Sequence, residues 1–515
     1  MTARWRERVE ATRPRSSPPV PKSAFPLDTL LSRGTFLLLI AVTAALSSFR
    51  LAGKGLWHDE AFTLAVASSD GETFWRSLTG GESFAGLYYL IVRLLPPLWE
   101  NEASLRAPSV VFAVLTAITM YFLARRLFGV WVAVVSVLLL SFDLFFIRYA
   151  QEARAYALAL WLVTLATFVL VRAVERPTWF RWLGYGALGA LAAYAHFFAV
   201  LVLVGHVMSL LLHRSLVPWK KVVVSAGLCL LLVLPLAVVL LSTNAGGRPL
   251  LAQNSTPDLL RDLAGIAPTR SGVLQALIFA LSGAGMLVIY LRQRRQGGEP
   301  AHLWHHTLVL CWLVIPIVLG AVISLTWPIL VTRYFIVVLP ALVMLIAVGL
   351  TIVRPAVQAA LLVVVLVIAA QGLGVYYAQN HKEGENWRDL VQYVADEAQS
   401  GDRVLFLSHF GRRPFEYYLD RHAGLASSLT PVYPTMPWGS YAPVVGEAQV
   451  GDTRTWARDL EADEPARVWV VLLWGGFRTG DDDSAPFQRV LARHYVETDH
   501  LFFGRYLKLG LFEHR

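Results

Sequence analysis

The chain has 515 residues, of which 56% are hydrophobic and only 16% are charged, whereas about a quarter of the residues of an ordinary soluble domain are charged. With a mean hydropathy of +0.52, this composition excludes a purely soluble enzyme and predicts a helical protein that crosses a membrane several times. The formal charge of +9 does not indicate a nucleic-acid partner, because the Lys and Arg residues fall mostly in short connections between apolar stretches, where they determine membrane orientation.

The N-terminal residues 1–33 are rich in Arg, Pro and Ser and lack apolar periodicity. They predict a disordered cytoplasmic tail. The stretch GTFLLLIAVTAALSSFRLAG then has the length of one membrane span and leads into a first outer loop over residues 53–106. Within that loop, residues 86–102 (GLYYLIVRLLPPLWENE) are apolar too. Counting them as a span would place Arg125 and Arg126 on the wrong side, so we predict a helix along the membrane interface.

Ten further apolar stretches bring the predicted number of spans to eleven. Connections with an excess of Lys and Arg alternate along the chain, as the positive-inside rule requires. An odd number of spans then places the chain after Tyr377 outside. The predicted stretches are Ala107–Leu123, Val130–Ile147, Tyr156–Val174, Trp182–Phe198, Ala199–Leu212, Val222–Leu241, Val273–Leu291, Leu303–Leu325, Ile329–Val353 and Ala356–Tyr377.

The composition changes after Gln379. The segment ENWRDLVQYVADEAQSGDRVLFLSHF predicts an amphipathic helix, a turn and a buried strand, and ARVWVVLLWGG predicts a second buried strand. We therefore expect a transmembrane domain over residues 34–378 and an extracytoplasmic α/β domain over residues 379–515.

Four polar clusters from separate parts of the sequence are predicted to lie at the outer face of the membrane. They are the pair Asp59 and Glu60, the segment RYAQEARAY (residues 148–156), His196 and Arg333. Ionisable residues at membrane depth are costly, so they indicate a functional site. Arg333 stands a few residues inside its predicted span, where a guanidinium can hold a lipid phosphate with two hydrogen bonds.

Each cluster also has a purely structural interpretation. The acidic pair is suited to the start of a helix, where Asp is a common cap. Glu152 and Arg154 could form a salt bridge that anchors a span, and His196 could pack among its aromatic neighbours. Arg333 could extend its charge to the headgroups. The location of all four clusters at one face favours the functional interpretation.

The order of several motifs resembles a glycosyltransferase family that includes protein O-mannosyltransferases and lipid A aminoarabinose transferases. The resemblance covers about residues 34–377 and implies a C-type glycosyltransferase fold with a polyprenyl-phosphate sugar as donor. It also implies that Asp59, the acid of the family's first-loop pair, is the catalytic base, with Glu60 as its neighbour. The motifs are LWHDEAF, LYYLIVRL, LRAPSVVFAVLTAITMYFLARRLFG, RYAQEARAYALAL, YAHFF and TRYFIVVLPAL.

The chemistry of such a donor agrees with these residue types. A sugar on a polyprenyl phosphate is already activated, because its leaving group needs charge stabilisation more than protonation. We expect Arg333, Tyr334 and Arg154 to bind the phosphate while a carboxylate accepts the proton of the attacking hydroxyl. Direct attack inverts the anomeric configuration. The other site residues assigned from the sequence are His58, Tyr88, Gln151, Glu152, Tyr156 and His196.

A divalent metal ion is left open as a cofactor. Its ligands would be Glu60, Glu152 and His196, because carboxylate oxygens and imidazole nitrogens bind such ions. No spacing in the sequence fixes such a site.

The sequence thus predicts an inverting membrane glycosyltransferase, a hexosyl- or pentosyltransferase. It would move a sugar from a polyprenyl-phosphate carrier to a hydroxyl of a lipid, glycan or protein at the outer face of the cell membrane. The alternative is a lipid or glycolipid transporter (flippase), which would also have many spans. Transporters commonly place their charges near the membrane midplane, whereas the clusters here share one face beside a sizeable outer domain.

Overall fold

A computed structural model of the chain describes residues 26–79, 85–242, 272–295, 300–326, 331–422, 424–435, 437–439, 453–473 and 485–515. The described chain up to Ala378 is built from helices. Short 3₁₀ turns lie at Pro96–Trp99, Arg214–Leu216 and Thr332–Val338. The helices are α1 Pro26–Ser48, α2 His58–Ser68, α3 Gly71–Thr79, α4 Gly86–Arg93, α5 Glu102–Phe128, α6 Val130–Phe142, α7 Leu144–Ala150, α8 Tyr156–Glu175, α9 Trp179–Ala195, α10 Phe198–Leu212, α11 Trp219–Ser242, α12 Gly272–Arg295, α13 Pro300–Ile323, α14 Leu339–Leu350 and α15 Pro355–Ala378.

Six of the described helices are long and apolar enough to cross a membrane, or seven when the bent pair α6 and α7 counts as one span. Shorter apolar helices lie at Arg33–Ser48, within α1, and at α10. By length and composition the chain is therefore a multi-pass membrane protein. Every predicted span overlaps a described helix, while the total of eleven crossings stays a prediction.

Helix boundaries depart from the predicted spans where a local residue imposes a break. α1 begins at Pro26, inside the predicted tail, of which residues 1–25 lie outside the described chain. The predicted span Val130–Ile147 bends by 65° between α6 and α7. There Asp143 accepts a hydrogen bond from the backbone N–H of Phe146 at 2.8 Å and caps a new helix. The predicted interfacial helix is interrupted before Pro96, which begins a 3₁₀ turn.

Two sets of charged residues lie at opposite ends of the helices. α5 has 27 residues, which is about 40 Å at the usual rise of 1.5 Å per residue. Near its C-terminus Arg126 pairs with Glu175 at the end of α8, with 2.5 Å between the charged atoms. Near its N-terminus Arg106 pairs with Glu60. The basic connections therefore lie at the opposite end of α5 from the acidic pair.

The segment from Thr332 to Leu350, the 3₁₀ turn and α14, lies at the centre of this part. In its most apolar stretch 89% of the residues are buried, against 17% in the corresponding stretches of α11 and α15. α11 and α15 thus present apolar surface outward, as lipid-facing helices do. Arg333 and Tyr334 belong to the central segment, so their side chains are placed by surrounding protein.

After α15 the chain forms a five-stranded sheet with the strand order β2-β1-β3-β5-β4. β1 pairs in parallel with β2 and β3, and β3, β5 and β4 pair antiparallel. The helix and the two strands predicted after Gln379 correspond to α16, β1 and β3. The elements are α16 Trp387–Glu397, β1 Asp402–Phe406, α17 Arg412–Leu419, α18 Leu425–Ser428, β2 Leu429–Tyr433, α19 Thr453–Asp463, β3 Arg467–Leu473, α20 Ala485–His494, β4 Tyr495–Phe502 and β5 Leu507–His514, with a 3₁₀ turn at His409–Gly411.

The central strand β3 is buried on both faces, as its continuous apolar sequence predicts. Val468 and Val470 pack into a small core with Phe487 of α20. Trp469 and Val471 point the other way, into the core that is continuous with the helical part. The sheet is thus packed directly against the rest of the protein.

Polar contacts reinforce this junction near α2. The hydroxyl of Tyr418 in α17 accepts a hydrogen bond from the backbone N–H of Leu56 at 2.7 Å and donates one to Glu102 at 2.9 Å. Arg388 of α16 pairs with the same carboxylate at 2.7 Å. The C-terminal part therefore holds the loop that precedes α2 and the start of α5.

Candidate active site

Asp59 lies in the first turn of α2 and faces two guanidinium groups. Its Oδ2 atom is 4.0 Å from Nε of Arg154 and 3.8 Å from Nη1 of Arg333. This oxygen is buried without a hydrogen-bond partner among the described residues, and so is Nε of Arg333. The three side chains come from three separate segments. They place one anionic group close to two cationic groups, and Oδ2 of Asp59 and Nε of Arg333 can still form hydrogen bonds to a ligand.

The charge of Asp59 follows from its surroundings. Burial by itself would raise the pKa of this carboxyl, but the positive charges of Arg154, His58 and Arg333 outweigh burial and lower the pKa to about 2. Asp59 is therefore ionised at neutral pH. The alternative that Asp59 caps α2 is not what the structure has, because Trp57 occupies the cap position and Asp59 follows inside the first turn.

Glu60 points away from this group into a fully buried ion-pair cluster. Nε and Nη2 of Arg106 donate to its two oxygens at 2.7 and 2.6 Å, and Nζ of Lys382 lies 3.2 Å from Oε1. The backbone N–H of Ala153 donates to Oε1 at 3.0 Å. Burial would raise the pKa of Glu60, but Arg106 and Lys382 overcome it and lower the pKa to about 2. Adjacent helical residues point about 100° apart, so the two acids of the pair have different surroundings.

Arg106 uses its whole guanidinium in this cluster. Besides the two bonds to Glu60, Nη1 donates to the carbonyls of Leu51 and Lys54 at 2.7 and 2.8 Å, and Nη2 donates to that of Gly55 at 2.9 Å. A guanidinium has five N–H donors, and all five have an acceptor here. Arg106 thereby fixes the loop that leads into α2.

Glu152 is a buried acid in the loop before α8. Its side chain is 1% exposed, and both carboxylate oxygens lack a hydrogen-bond partner among the described residues. Burial raises the pKa of Glu152 to about 7, although Lys382 opposes the rise. A ligand or a proton can therefore decide the charge of this carboxyl near neutral pH.

Aromatic side chains form one wall beside Arg333. The ring of Tyr334 lies 4.8 Å from that of His196, and the ring of Tyr156 lies 5.6 Å from the same imidazole. Nδ1 of His196 accepts a hydrogen bond from the backbone N–H of Phe198 at 3.2 Å, in the turn between α9 and α10. Tyr156, His196 and Tyr334 are therefore brought together.

Two further predicted site residues, Tyr88 and Gln151, form hydrogen bonds within the protein. The hydroxyl of Tyr88 bonds to Oγ of Ser109 at 2.9 Å, and Ser109 donates to the carbonyl of Glu152. The amide of Gln151 donates to the carbonyls of Ser47 and Phe49 at 3.0 and 2.8 Å, which ties the loop before α8 to the end of α1. Both side chains support the loop that carries Glu152 and Arg154.

The sequence interpretation missed two residues that follow α15. Nζ of Lys382 donates to Glu60 and to the carbonyl of Gln151. Glu385 is completely buried, and its Oε1 atom is 2.8 Å from Nδ1 of His58. The charged segment HKEGEN, placed directly after a membrane span, is the signal that could have identified them.

The predicted metal ligands do not fit one ion. Glu60 is already neutralised by Arg106 and Lys382. Among the described residues, three ligand atoms approach one another within 4.8 Å only at Glu464, His494 and His514, which belong to the C-terminal part. The structure therefore does not form one metal site from Glu60, Glu152 and His196. The buried side chains of Arg106 and Lys382 would compete with a metal ion for the carboxylate of Glu60.

Known proteins match this chain through one family and through solved structures. Residues 87–239 match the family described as dolichyl-phosphate-mannose-protein mannosyltransferase. No curated protein matches the chain. The crystal structure of ArnT from Cupriavidus metallidurans in the apo state is 12% identical with a TM-score of 0.61, and the match covers 93% of this chain and 98% of that chain. ArnT bound to undecaprenyl phosphate is 13% identical with a TM-score of 0.57, over 92% of this chain and 98% of that chain.

At this level of identity the structural matches establish the fold. They agree with the fold that the order of the motifs indicated: the chain has the C-type glycosyltransferase fold.

Proposed function

We propose that this protein is an inverting glycosyltransferase that moves a sugar from a polyprenyl phosphate to an acceptor hydroxyl at the extracytoplasmic face of the cell membrane. The observation that carries the proposal is the carboxylate of Asp59 beside Arg154 and Arg333. This group lies at the end of the helices opposite the basic connections, which the positive-inside rule assigns to the cytoplasm. Hexosyl and pentosyl donors, and lipid, glycan and protein acceptors, are all compatible with it.

The two arginines bind the donor phosphate. A polyprenyl phosphate in the membrane presents its anionic group at the depth of Arg333, whose Nε atom is buried without a partner among the described residues. Guanidinium groups bind phosphate with paired hydrogen bonds. As the bond between the anomeric carbon and the phosphate oxygen breaks, the arginines stabilise the negative charge that the phosphate gains.

Asp59 accepts the proton of the acceptor hydroxyl as that oxygen attacks the anomeric carbon. With a pKa of about 2, Asp59 would be a weak base. The negative charge of a bound phosphate offsets the positive charges of Arg154 and Arg333. These two charges then lower the pKa of Asp59 less. Donor binding thus prepares the base, and attack from the side opposite the phosphate inverts the anomeric configuration.

The test uses the full chain in detergent with radiolabelled mannosyl undecaprenyl phosphate as the probe. Asp59→Asn keeps the shape of the side chain but cannot accept the proton, so we expect transfer to fall by about a hundred- to ten-thousand-fold. Thermal stabilisation by undecaprenyl phosphate should survive in Asp59→Asn and be lost in Arg333→Ala. Arg333→Lys should retain part of it, since Lys keeps the charge without the planar fork.

The control is Arg76→Ala, which removes an exposed arginine that pairs with Glu72. Transfer at the wild-type rate in Asp59→Asn would remove Asp59 from the role of base. Full stabilisation of Arg333→Ala by undecaprenyl phosphate would remove Arg333 from the phosphate site.

A further inference from the structure

The imidazole of His58 lies between two carboxylates. Its Nδ1 atom is 2.8 Å from Oε1 of Glu385, and its Nε2 atom is 3.4 Å from Oδ1 of Asp59. The side chain of His58 is 14% exposed and that of Glu385 is not exposed. Each ring nitrogen therefore faces an acceptor, which is the arrangement that favours a doubly protonated imidazolium.

Glu385 is held rigidly where it meets His58. Its Oε2 atom accepts hydrogen bonds from the backbone N–H of His58 at 3.2 Å and from Nε1 of Trp387 at 2.8 Å. With Nδ1 of His58, three donors from two segments converge on one buried carboxylate. A carboxylate fixed in this way determines the orientation of the imidazole that it contacts.

The loop between β4 and β5 positions the segment that carries Glu385. The backbone N–H of Asn386 donates to the carbonyl of Phe503 at 2.8 Å, and that of Tyr506 donates to the carbonyl of Gly384 at 3.1 Å. The two backbones approach so closely that a Cβ atom on Gly504 would lie 2.2 Å from the oxygen of Gly384. The C-terminal sheet therefore sets the position of Glu385 relative to α2.

We propose that Glu385 is a positioning residue that acts through His58 to orient the carboxylate of Asp59, so that the segment after α15 completes the active site. This inference rests on the proposed function, in which Asp59 is the base. It also assigns a task to the C-terminal sheet, which holds Glu385 against His58.

The charges around His58 agree with this arrangement. Burial would lower the pKa of His58, but the carboxylates of Glu385 and Asp59 overcome burial and raise it, while Arg333 opposes them. An imidazolium between the two acids holds Asp59 by its positive charge. A neutral imidazole in the wrong tautomer would not.

The first test is Glu385→Gln in the full chain, with Glu383→Gln as the matched control. Glu383 belongs to the same segment but pairs with Arg148. We expect Glu385→Gln to lower kcat with mannosyl undecaprenyl phosphate by about ten- to a hundredfold, a part of what a general base contributes. KM and thermal stabilisation by undecaprenyl phosphate should not change. Glu385→Asp keeps the charge and should recover part of kcat.

The second test does not depend on catalysis. Diethyl pyrocarbonate modifies neutral imidazoles, and mass spectrometry of the peptide with His58 measures the rate at pH 7. We expect Glu385→Gln to raise this rate several-fold and Glu383→Gln to leave it unchanged. Because this readout needs no sugar donor, a wrong assignment of the transfer reaction would still leave the contact between Glu385 and His58 measurable.

A double-mutant cycle decides whether Glu385 acts through His58. In a His58→Asn background, Glu385→Gln should produce no further loss of kcat, because the connecting side chain is absent. The proposal is overturned if the loss of kcat persists undiminished in that background. It is also overturned if Glu385→Gln, folded as judged by its thermal unfolding, leaves both kcat and the modification rate of His58 at the wild-type values.

Discussion

At the scale of single residues, we expect Glu152 to make the stability of the protein depend on pH. Its folded-state pKa of about 7 is above the ordinary value of 4.5. Between these values the unfolded chain releases the proton while the folded protein keeps it. The contribution of this carboxyl to stability is therefore complete below about pH 4.5 and is lost as the pH rises through 7.

Glu152→Gln should remove this dependence. As the pH rises from 5 to 8, we expect the free energy of unfolding of the variant to increase relative to that of wild type by on the order of 2 kcal/mol. Thermal unfolding of purified protein in detergent at both pH values measures the difference, and the control is Glu72→Gln, which removes an exposed acid. An equal difference at both pH values would show that Glu152 ionises like an ordinary carboxyl in the folded protein.

At the scale of elements, the cluster around Glu60 joins α2, α5, the loop before α8 and the segment after α15. Breaking a buried ion pair by removing one partner typically costs about 3–5 kcal/mol, because the other charge stays buried. We therefore expect Glu60→Gln to destabilise the protein by about that amount and to lower its yield in membranes.

The comparison for Glu60→Gln is again Glu72→Gln. Glu72 pairs with Arg76 at 2.5 Å, but its side chain is 80% exposed, and exposed pairs contribute about 0–1 kcal/mol. Thermal unfolding of both variants measures the difference. If Glu60→Gln is as stable as wild type but inactive in transfer, Glu60 belongs to the chemistry rather than to the framework.

At the scale of the whole molecule, the orientation in the membrane is the central prediction. The acidic pair and the C-terminal sheet lie at one end of the helices, and the basic connections lie at the other.

Cysteine labelling tests this orientation after the two native cysteines, Cys229 and Cys311, are replaced. A membrane-impermeant maleimide applied to intact cells should label Asp70→Cys and Ser427→Cys, since both positions are exposed. It should label Thr178→Cys, an exposed position at the basic end, only after permeabilisation. Labelling of Thr178→Cys in intact cells would reverse the assignment of the faces.

The organisation of the helical part was largely readable from the sequence. The cost of placing a residue in lipid depends on its own side chain, so apolar length and the distribution of Lys and Arg predict spans and their sides locally. The convergence of Asp59, Arg154 and Arg333 followed from this, because residues at one end of a bundle share one face. Breaks such as the one at Asp143 were not predicted, because a single polar side chain that caps a helix is a weak signal within an apolar stretch.

The sequence by itself determined that this is a multi-pass membrane protein with polar clusters at one end of its helices, and its motifs indicated the fold. Only the tertiary structure decided how the two adjacent acids differ. A helix turns about 100° per residue. Asp59 therefore faces Arg154 and Arg333, while Glu60 faces Arg106 and Lys382. The partners that fix these orientations, Lys382 and Glu385, are 322 and 327 residues away from Glu60 and His58. Contacts over such separations depend on how the helices and the sheet pack, and no local pattern encodes them.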